Sequence, residues 1–421
     1  MKNKDRYIML ILFSVGLTLR LLILHIFPQP LVADQIQYQA LVNYMMDLPF
    51  YTHSFRSYGF PMLIVPLYQI FGRSSYISWQ IMQTILDSIT TVLVFVIAGH
   101  IFKSRKKAFL SGFLYMINPF TSFYSGVLLT EVSSAFFLML AFYLFIKFTA
   151  NGKLLTLAFL ALTIGYLPQI RPTFLPFSIL LLAIICFRLF NKIVQAKKMI
   201  FYMILCVMLF FLPFTYNLIG NFRYHGIWTP FLIDNLLVEN LYVSLYLERF
   251  FFSEKYFPLP AEVDWIYGLY SAPKKSNEER KKMTEMFLTL SKQKILEDPI
   301  TFVKIRFKKM WYVWEKHFVL AYQGEGNKWV IGTTYLLNLM LLITGLSGYI
   351  SEARKKFVVE DERRLFFMLT AVFFVYLTVI SSLTSAEERY TIPAYPLVFV
   401  FSGSGIYFFL RKIKGYKNGK K

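Results

Sequence analysis

With 421 residues, 56% of them hydrophobic and only 16% charged, and a mean hydropathy of +0.50, the chain is too apolar for a soluble domain, in which about a quarter of the residues are charged. Its net charge of +21 does not make it a nucleic-acid binder, because the basic residues sit in short clusters between apolar runs, as membrane topology signals do. The two cysteines, Cys186 and Cys206, both fall inside apolar stretches, which excludes a disulfide framework and offers no metal-ligand spacing.

A helix needs about 20 apolar residues to cross a bilayer. The basic start, residues 1–6, runs into the first such stretch with no small-x-small cleavage site, so an uncleaved first span is expected. In chain order the candidate spans are 7–27, 76–102, 106–122, 124–148, 154–170, 172–190, 199–219, 329–350, 365–384 and 391–411. The fold class expected is an all-α polytopic membrane protein of about ten transmembrane helices. Segment 59–72 is shorter and is interrupted by Pro61 and Pro66, which reads as an interfacial or re-entrant helix.

Charge fixes the orientation. With the N-terminus inside, the inner connectors hold 103–107 (Lys-Ser-Arg-Lys-Lys), Lys147 and Lys153, 188–198, 354–356 with Arg363 and Arg364, and the tail from Arg411. Every strongly basic short connector then lies on one side, as the positive-inside rule requires. Both termini are expected in the cytoplasm. The opposite, outer face receives residues 28–58, the turns near 122 and 171, the long segment 220–328, and 385–390. Three regions follow: an N-terminal transmembrane catalytic module, 1–219; an outer-face segment with amphipathic helices, 220–328; and C-terminal transmembrane helices with a basic tail, 329–421. Within the middle region Pro258, Pro260 and Pro273 act as breakers, and Ser276 with Glu279 resembles a capping box opening a helix to about Leu296. Asp298-Pro299 starts a second, basic and aromatic helix expected at the membrane surface.

Ionisable groups in or beside a membrane are costly and are functional candidates. Asp34, just past the first span, reads either as a base that takes a proton from an attacking hydroxyl or as the N-cap of a helix over 35–46. Arg20, Arg56, Arg171 and Arg389 are cations suited to a lipid phosphate, or alternatively to snorkelling and bulk anionic lipid. Glu131, placed within the outer part of a span, pairs with one of these arginines or contacts substrate. Asp87, on a helix with Gln80 and Gln83, reads as packing glue between spans. The five histidines are dispersed, so no histidine metal site is expected, and a divalent-ion requirement stays open. No Walker, Rossmann or G-x-S-x-G motif supports nucleotide-driven transport or serine hydrolysis.

The order of these features resembles GT-C class membrane glycosyltransferases, the group of protein O-mannosyltransferases and the lipid A aminoarabinose transferase. The resemblance runs nearly end to end: Arg20 and then Asp34; the turn from Arg56 through Tyr58 and Gly59 to Pro61; Asn118-Pro119, Ser125-Gly126 and Leu128 to Glu131; Arg171-Pro172; and Glu388-Arg389-Tyr390 with Pro393 and Pro396. It implies transfer of a sugar from a polyprenyl-phosphate donor to a hydroxyl on a protein, lipid or glycan, at the outer face and with inversion. Asp34 takes the position of the family's catalytic base. Arg56, Arg171 and Arg389, with Tyr58, Glu131, Glu388 and Tyr390, become the donor-phosphate and substrate-binding set. One departure is clear: many relatives carry Asp-Glu where this chain has Asp34-Gln35. The rival readings are a transporter or flippase of lipid-linked sugars and a non-catalytic scaffold. Polar groups gathered at one face and the lack of matching halves favour the enzyme.

Overall fold

The computed structural model describes residues 3–192, 195–247, 276–319, 327–354 and 361–418. The breakers Pro258, Pro260 and Pro273 and the basic residues Lys355 and Lys356 lie outside them. Among the described residues all regular structure is helical. In chain order it comprises α1 (Asn3–Ile26), α2 (Asp34–Asp47), α3 (Gly59–Phe71), α4 (Tyr76–Phe102), α5 (Arg105–Met116), α6 (Pro119–Ser122), α7 (Glu131–Asn151), α8 (Leu154–Ile170) and α9 (Leu175–Lys192). There follow α10 (Ala196–Phe211), α11 (Phe214–His225), α12 (Leu236–Tyr246), α13 (Asn277–Glu297), α14 (Pro299–Tyr312), α15 (Lys328–Ala353), α16 (Asp361–Ser382) and α17 (Tyr395–Asn418).

The protein is a multi-pass membrane protein. Seven of its described helices are long and apolar enough to cross a bilayer, and α10 with α11, bent by 43° at their junction, makes an eighth. The remaining expected spans differ for local reasons. Run 106–122 is not one helix: α5 stops at Met116, and Asn118, whose side-chain oxygen accepts from the Thr121 amide at 3.0 Å, restarts the chain at Pro119. Run 154–170 is a helix of 17 residues, shorter than the others. Run 124–148 is not one helix either: a short 3-10 helix over Phe123–Gly126 and a break after it precede α7, which starts at Glu131. Glu131 is therefore the first residue of α7, at the very end of that span.

The most enclosed helices are α17 and α7, whose apolar windows are 78% and 72% buried, against 17% for α1 and for α15, which face outward. The chain thus wraps lipid-facing helices around a central group of α4, α7 and α17. At one end of the bundle sit the pairs Arg105–Asp5 (2.7 Å) and Lys107–Glu352, with Arg363 near Glu352 at 3.9 Å. The loop after α1, the turn after α8 and the turn before α17 all lie at the other end.

Arg20 does not belong to that other end. It is fully buried in α1 and donates from Nε to Asp87 on α4 at 2.5 Å, and from Nη1 to the Gly16 and Met116 carbonyls at 3.1 and 3.2 Å. Asp87 also accepts from the Tyr115 hydroxyl and, at 3.2 Å, from Thr121. A buried charge requires such partners. The pair knits α1, α4, α5 and α6 together, and the phosphate reading of Arg20 falls.

The capping box of Ser276 and Glu279 is formed and opens α13, and Asp298 caps α14 by accepting from Thr301 at 2.9 Å. Helix α14 is not simply a surface helix. Its Arg306 and Lys309 are buried and donate to Ser244 and to carbonyls near the end of α16, while Ile300, Phe307 and Trp311 on its other sides are exposed.

Candidate active site

Three chain segments from distant parts of the sequence meet at one point. The first begins with Ala33, whose φ of 51° puts a residue with a Cβ in the left-handed region, a strained turn that starts α2 at Asp34. Asp34 is the first residue of the helix and Ala33 occupies the cap position without a capping bond, so the N-cap reading of Asp34 is corrected. Its carboxylate is spent on two arginines instead. Gln35 is fully buried; its side chain donates to the Pro30 carbonyl at 2.9 Å and accepts from the Leu128 amide at 2.8 Å. It fastens the start of α2 to the stretch that leads into Glu131.

The second segment is the loop between α2 and α3, which carries Arg56. Glycine lets it seat: a Cβ on Gly220 of α11 would stand 2.2 Å from the Phe50 carbonyl, and one on Gly59 would stand 2.5 Å from the backbone of Gln169. The Ser54 carbonyl accepts from the amides of Ile233 and Asp234 at 3.0 Å each, and the Ser54 hydroxyl donates to Asp234 at 2.6 Å. Arg280 of α13 grips the other oxygen of Asp234. Burial first, and then the Arg56 charge, hold nearby His53 down at about 4, which leaves its ring neutral beside these cations.

The third segment is the turn from Ser385 to Tyr390. Ala386 is again at positive φ, 55°. Glu387 accepts from Arg389 Nε and from the Tyr390 hydroxyl at 2.8 Å, which aims the Arg389 guanidinium away from the turn.

At the meeting point, one Asp34 oxygen accepts from Arg56 Nη2 at 2.5 Å and the other from Arg389 Nη2 at 2.9 Å. The side chains of Asp34, Arg56 and Arg389 keep 24%, 17% and 12% of their surface open. Arg56 is oriented further by Gln37, whose amide oxygen accepts from its Nε and Nη2 at 2.9 and 2.6 Å, and its guanidinium stands over the Tyr38 ring at 5.3 Å. Burial alone would raise the Asp34 carboxyl; the charges of Arg389 and Arg56, with their hydrogen bonds, outweigh it and hold the group below its ordinary value. Asp34 is an ionised, partly open acceptor between two cations.

Next to it lies a second ion pair. Glu131 Oε1 is 3.5 Å from Arg171 Nη1, and the Arg171 guanidinium stands 5.3 Å from the centre of the Tyr390 ring. Tyr390 links the two pairs through Glu387 and Arg389.

Of the residues singled out in the sequence, Asp34, Arg56 and Arg389 are in contact, and Glu131, Arg171 and Tyr390 adjoin them. Two point elsewhere. Tyr58 stacks on Tyr216 at 4.1 Å and donates to the Pro213 carbonyl at 2.5 Å, because α3 packs on the α10–α11 bend. Glu388 accepts from the His317 amide and meets the His317 ring, both at 2.7 Å, and thereby ties the turn to the end of α14. Gln37, Tyr38 and Glu387 belong to the site but escaped the sequence reading. Gln37 and Tyr38 were accessible, since they stand three and four residues after Asp34 and so share its helical face. The bond between Ser54 and Asp234 spans 180 residues and leaves no local signal.

Residues 57–216 match the family model described as dolichyl-phosphate-mannose-protein mannosyltransferase. That stretch includes Glu131 and Arg171 and leaves out Asp34, Arg56 and Arg389. No curated protein sequence matches the chain. Among solved structures, the fold is similar to the oligosaccharyltransferase AglB from Archaeoglobus fulgidus, determined with an inhibitory peptide and a dolichol-phosphate. The TM-score is 0.50 at 13% identity, over 99% of this chain and 51% of that one. The apo form of the Archaeoglobus fulgidus oligosaccharyltransferase aligns at a TM-score of 0.49 and 14% identity, over 100% and 52%. This chain therefore spans about half the length of those structures. The all-helical, multi-pass architecture expected from the sequence is the one observed, and its fold is similar to that of the archaeal oligosaccharyltransferase.

Proposed function

We propose that this GT-C-type membrane protein transfers a sugar from a polyprenyl-phosphate donor to an acceptor hydroxyl at the outer face of the membrane, with Asp34 as general base. The observation that carries this reading is one partly open carboxylate held between guanidiniums contributed by residues 22 and 355 positions away along the chain. Structural ion pairs do not need to stay open to solvent or to recruit both ends of a polypeptide.

The two arginines have a second use in this scheme. A donor phosphate offers them a stronger partner than a carboxylate, with oxygens in bidentate reach. As Arg56 and Arg389 turn to the phosphate, Asp34 loses the charges that depress its carboxyl and becomes the better base. The acceptor hydroxyl then gives its proton to Asp34 as its oxygen bonds to the anomeric carbon. The bond from that carbon to the phosphate oxygen breaks, and the leaving polyprenyl phosphate keeps the electron pair under the two guanidiniums. Attack from the side opposite the leaving phosphate inverts the anomeric centre.

The basic residues at the other end of the bundle support an inner position for the termini. The acceptor, a protein, lipid or glycan hydroxyl, is not distinguished by these residues.

The test is transfer from polyprenyl-phosphate sugars by the purified protein in lipid nanodiscs. Wild type should transfer, and Asp34→Asn should lose roughly two to four orders of magnitude in rate, the usual contribution of a positioned base, while its thermal midpoint stays put. Wild-type rates in Asp34→Asn would remove the base. Movement of the lipid-linked sugar across a vesicle bilayer with no transfer would replace the enzyme by a transporter.

A further inference from the structure

The pair beside the Asp34 centre is unlike an ordinary ion pair. Glu131 is 3% exposed, yet its carboxylate is only 3.5 Å from Arg171, beyond a good hydrogen bond. Glu131 Oε2 and Arg171 Nη1 are both buried without a hydrogen-bond partner, and so is the hydroxyl of Ser134, one helical turn further along α7. Buried polar groups are normally satisfied, and a carboxylate and a guanidinium left open side by side point to a ligand that completes both.

The charges say what kind. At the Asp34 centre two guanidiniums flank one partly open carboxylate, with Glu387 engaging Arg389 from the turn side, and a phosphate can take the place of Asp34 between them, but an anion placed against Arg171 would face Glu131 directly. A sugar has no such conflict, because each hydroxyl can donate to a carboxylate oxygen and accept from a guanidinium N–H at once. Two neighbouring hydroxyls match the side-by-side oxygens and nitrogens of this pair. The Tyr390 ring, already against Arg171, supplies an apolar wall of the kind sugar C–H faces pack on.

We propose that Glu131 and Arg171 form a sugar-hydroxyl subsite that reads the glycosyl group of the donor, while Arg56 and Arg389 hold its phosphate. This rests on the reading of Asp34, Arg56 and Arg389 as the donor site, and it takes Arg171 out of the phosphate-binding set. The matching stretch 57–216 contains both subsite residues.

The experiment compares the affinity of the purified protein for a polyprenyl monophosphate with its affinity for the mannosyl, glucosyl and galactosyl esters of the same lipid. Wild type should bind at least one ester more tightly than the monophosphate. Glu131→Gln should lose roughly tenfold on that ester, as expected for hydrogen bonds to a charged group, and keep its affinity for the monophosphate. Glu131→Asp, which preserves the charge next to Arg171 and guards against misfolding, should show the same selective loss. Arg56→Gln should weaken both ligands. The subsite is overturned if no ester exceeds the monophosphate in wild type, or if the Glu131 variants lose both ligands equally or neither. Failure of wild type to bind the monophosphate at all would instead bring down the donor site, and this subsite with it.

Discussion

Arg20 with Asp87 and Arg56 with Asp34 are the same pair of residue types joined at the same 2.5 Å, and they do different work. The first is wholly buried, and Asp87 is saturated by Arg20, Tyr115 and Thr121. The second keeps 24% of its carboxylate and 17% of its guanidinium surface open and shares the acid with a third residue, Arg389. A charge with every lone pair committed to the protein can only hold helices together; one whose partners can be exchanged for a ligand can take part in chemistry. Openness, and not the identity of the residues, separates the two.

The largest effect should come from breaking the closed pair. Asp87→Ala leaves Arg20 buried without its counter-charge, a loss of about 3–5 kcal/mol. The thermal midpoint of the detergent-solubilised protein should drop steeply or folded protein should fail to accumulate, whereas a midpoint near wild type would erase the contrast. Arg389→Gln, at the open pair, should do the reverse. Its pairs with Asp34 and Glu387 are partly open and not sealed, so the midpoint should fall less than in Asp87→Ala, while affinity for a polyprenyl monophosphate falls roughly tenfold with the lost charged hydrogen bonds. A variant that unfolds but binds when folded would make Arg389 structural.

A smaller effect is expected one step away. Asp234 accepts from Ser54, two residues before Arg56 in the loop, and Arg280 in turn grips Asp234. Asp234→Asn should raise the donor KM about threefold to tenfold with little change in kcat, the signature of a misplaced binding group. Adding Arg280→Gln to it should make matters no worse, because both changes break one chain of contacts. Additive losses would show two independent roles.

The mildest effect is one of pH. Asp34 sits below its ordinary value of 3.8, so the stability it contributes is complete above that value and lost only as pH falls through its lower folded value. It is silent between about pH 5 and pH 8. His53 falls from 6.5 to about 4 and folds neutral, so its share is present above 6.5 and lost as pH drops from there toward 4. His53→Gln should flatten the decline of the thermal midpoint over that window. An unchanged profile would mean that the ring is not buried against Arg56 and its neighbours.

How much of this was legible beforehand depends on the range of the signal. Apolar runs are local and marked most of the spans, except where Asn118-Pro119 and Ser125-Gly126 break runs that hydropathy alone leaves continuous and where 154–170 forms a shorter helix. The capping box at Ser276 was readable for the same reason. Arg20 misled because a charge inside a span looks the same in sequence whether its partner is a ligand or an aspartate on the next helix. Tyr58 and Glu388 were drawn in by their neighbours Arg56 and Arg389, yet backbone direction at a turn sends adjacent side chains to opposite sides, and the sequence does not record which. Asp234 and Arg280 depend on packing between an outer helix and a loop far away in the chain, and no residue pattern announces that.

The central claim is that the carboxylate of Asp34 and the guanidiniums of Arg56 and Arg389 form the reaction centre. A cryo-EM structure of the protein with a polyprenyl monophosphate tests it most directly. The account predicts the phosphate within hydrogen-bond distance of Arg56 or Arg389, with Asp34 released from at least one of them. A phosphate held instead among Arg105, Lys107 and Arg363 at the opposite end of the bundle, or bound while both contacts to Asp34 stay intact, would contradict it.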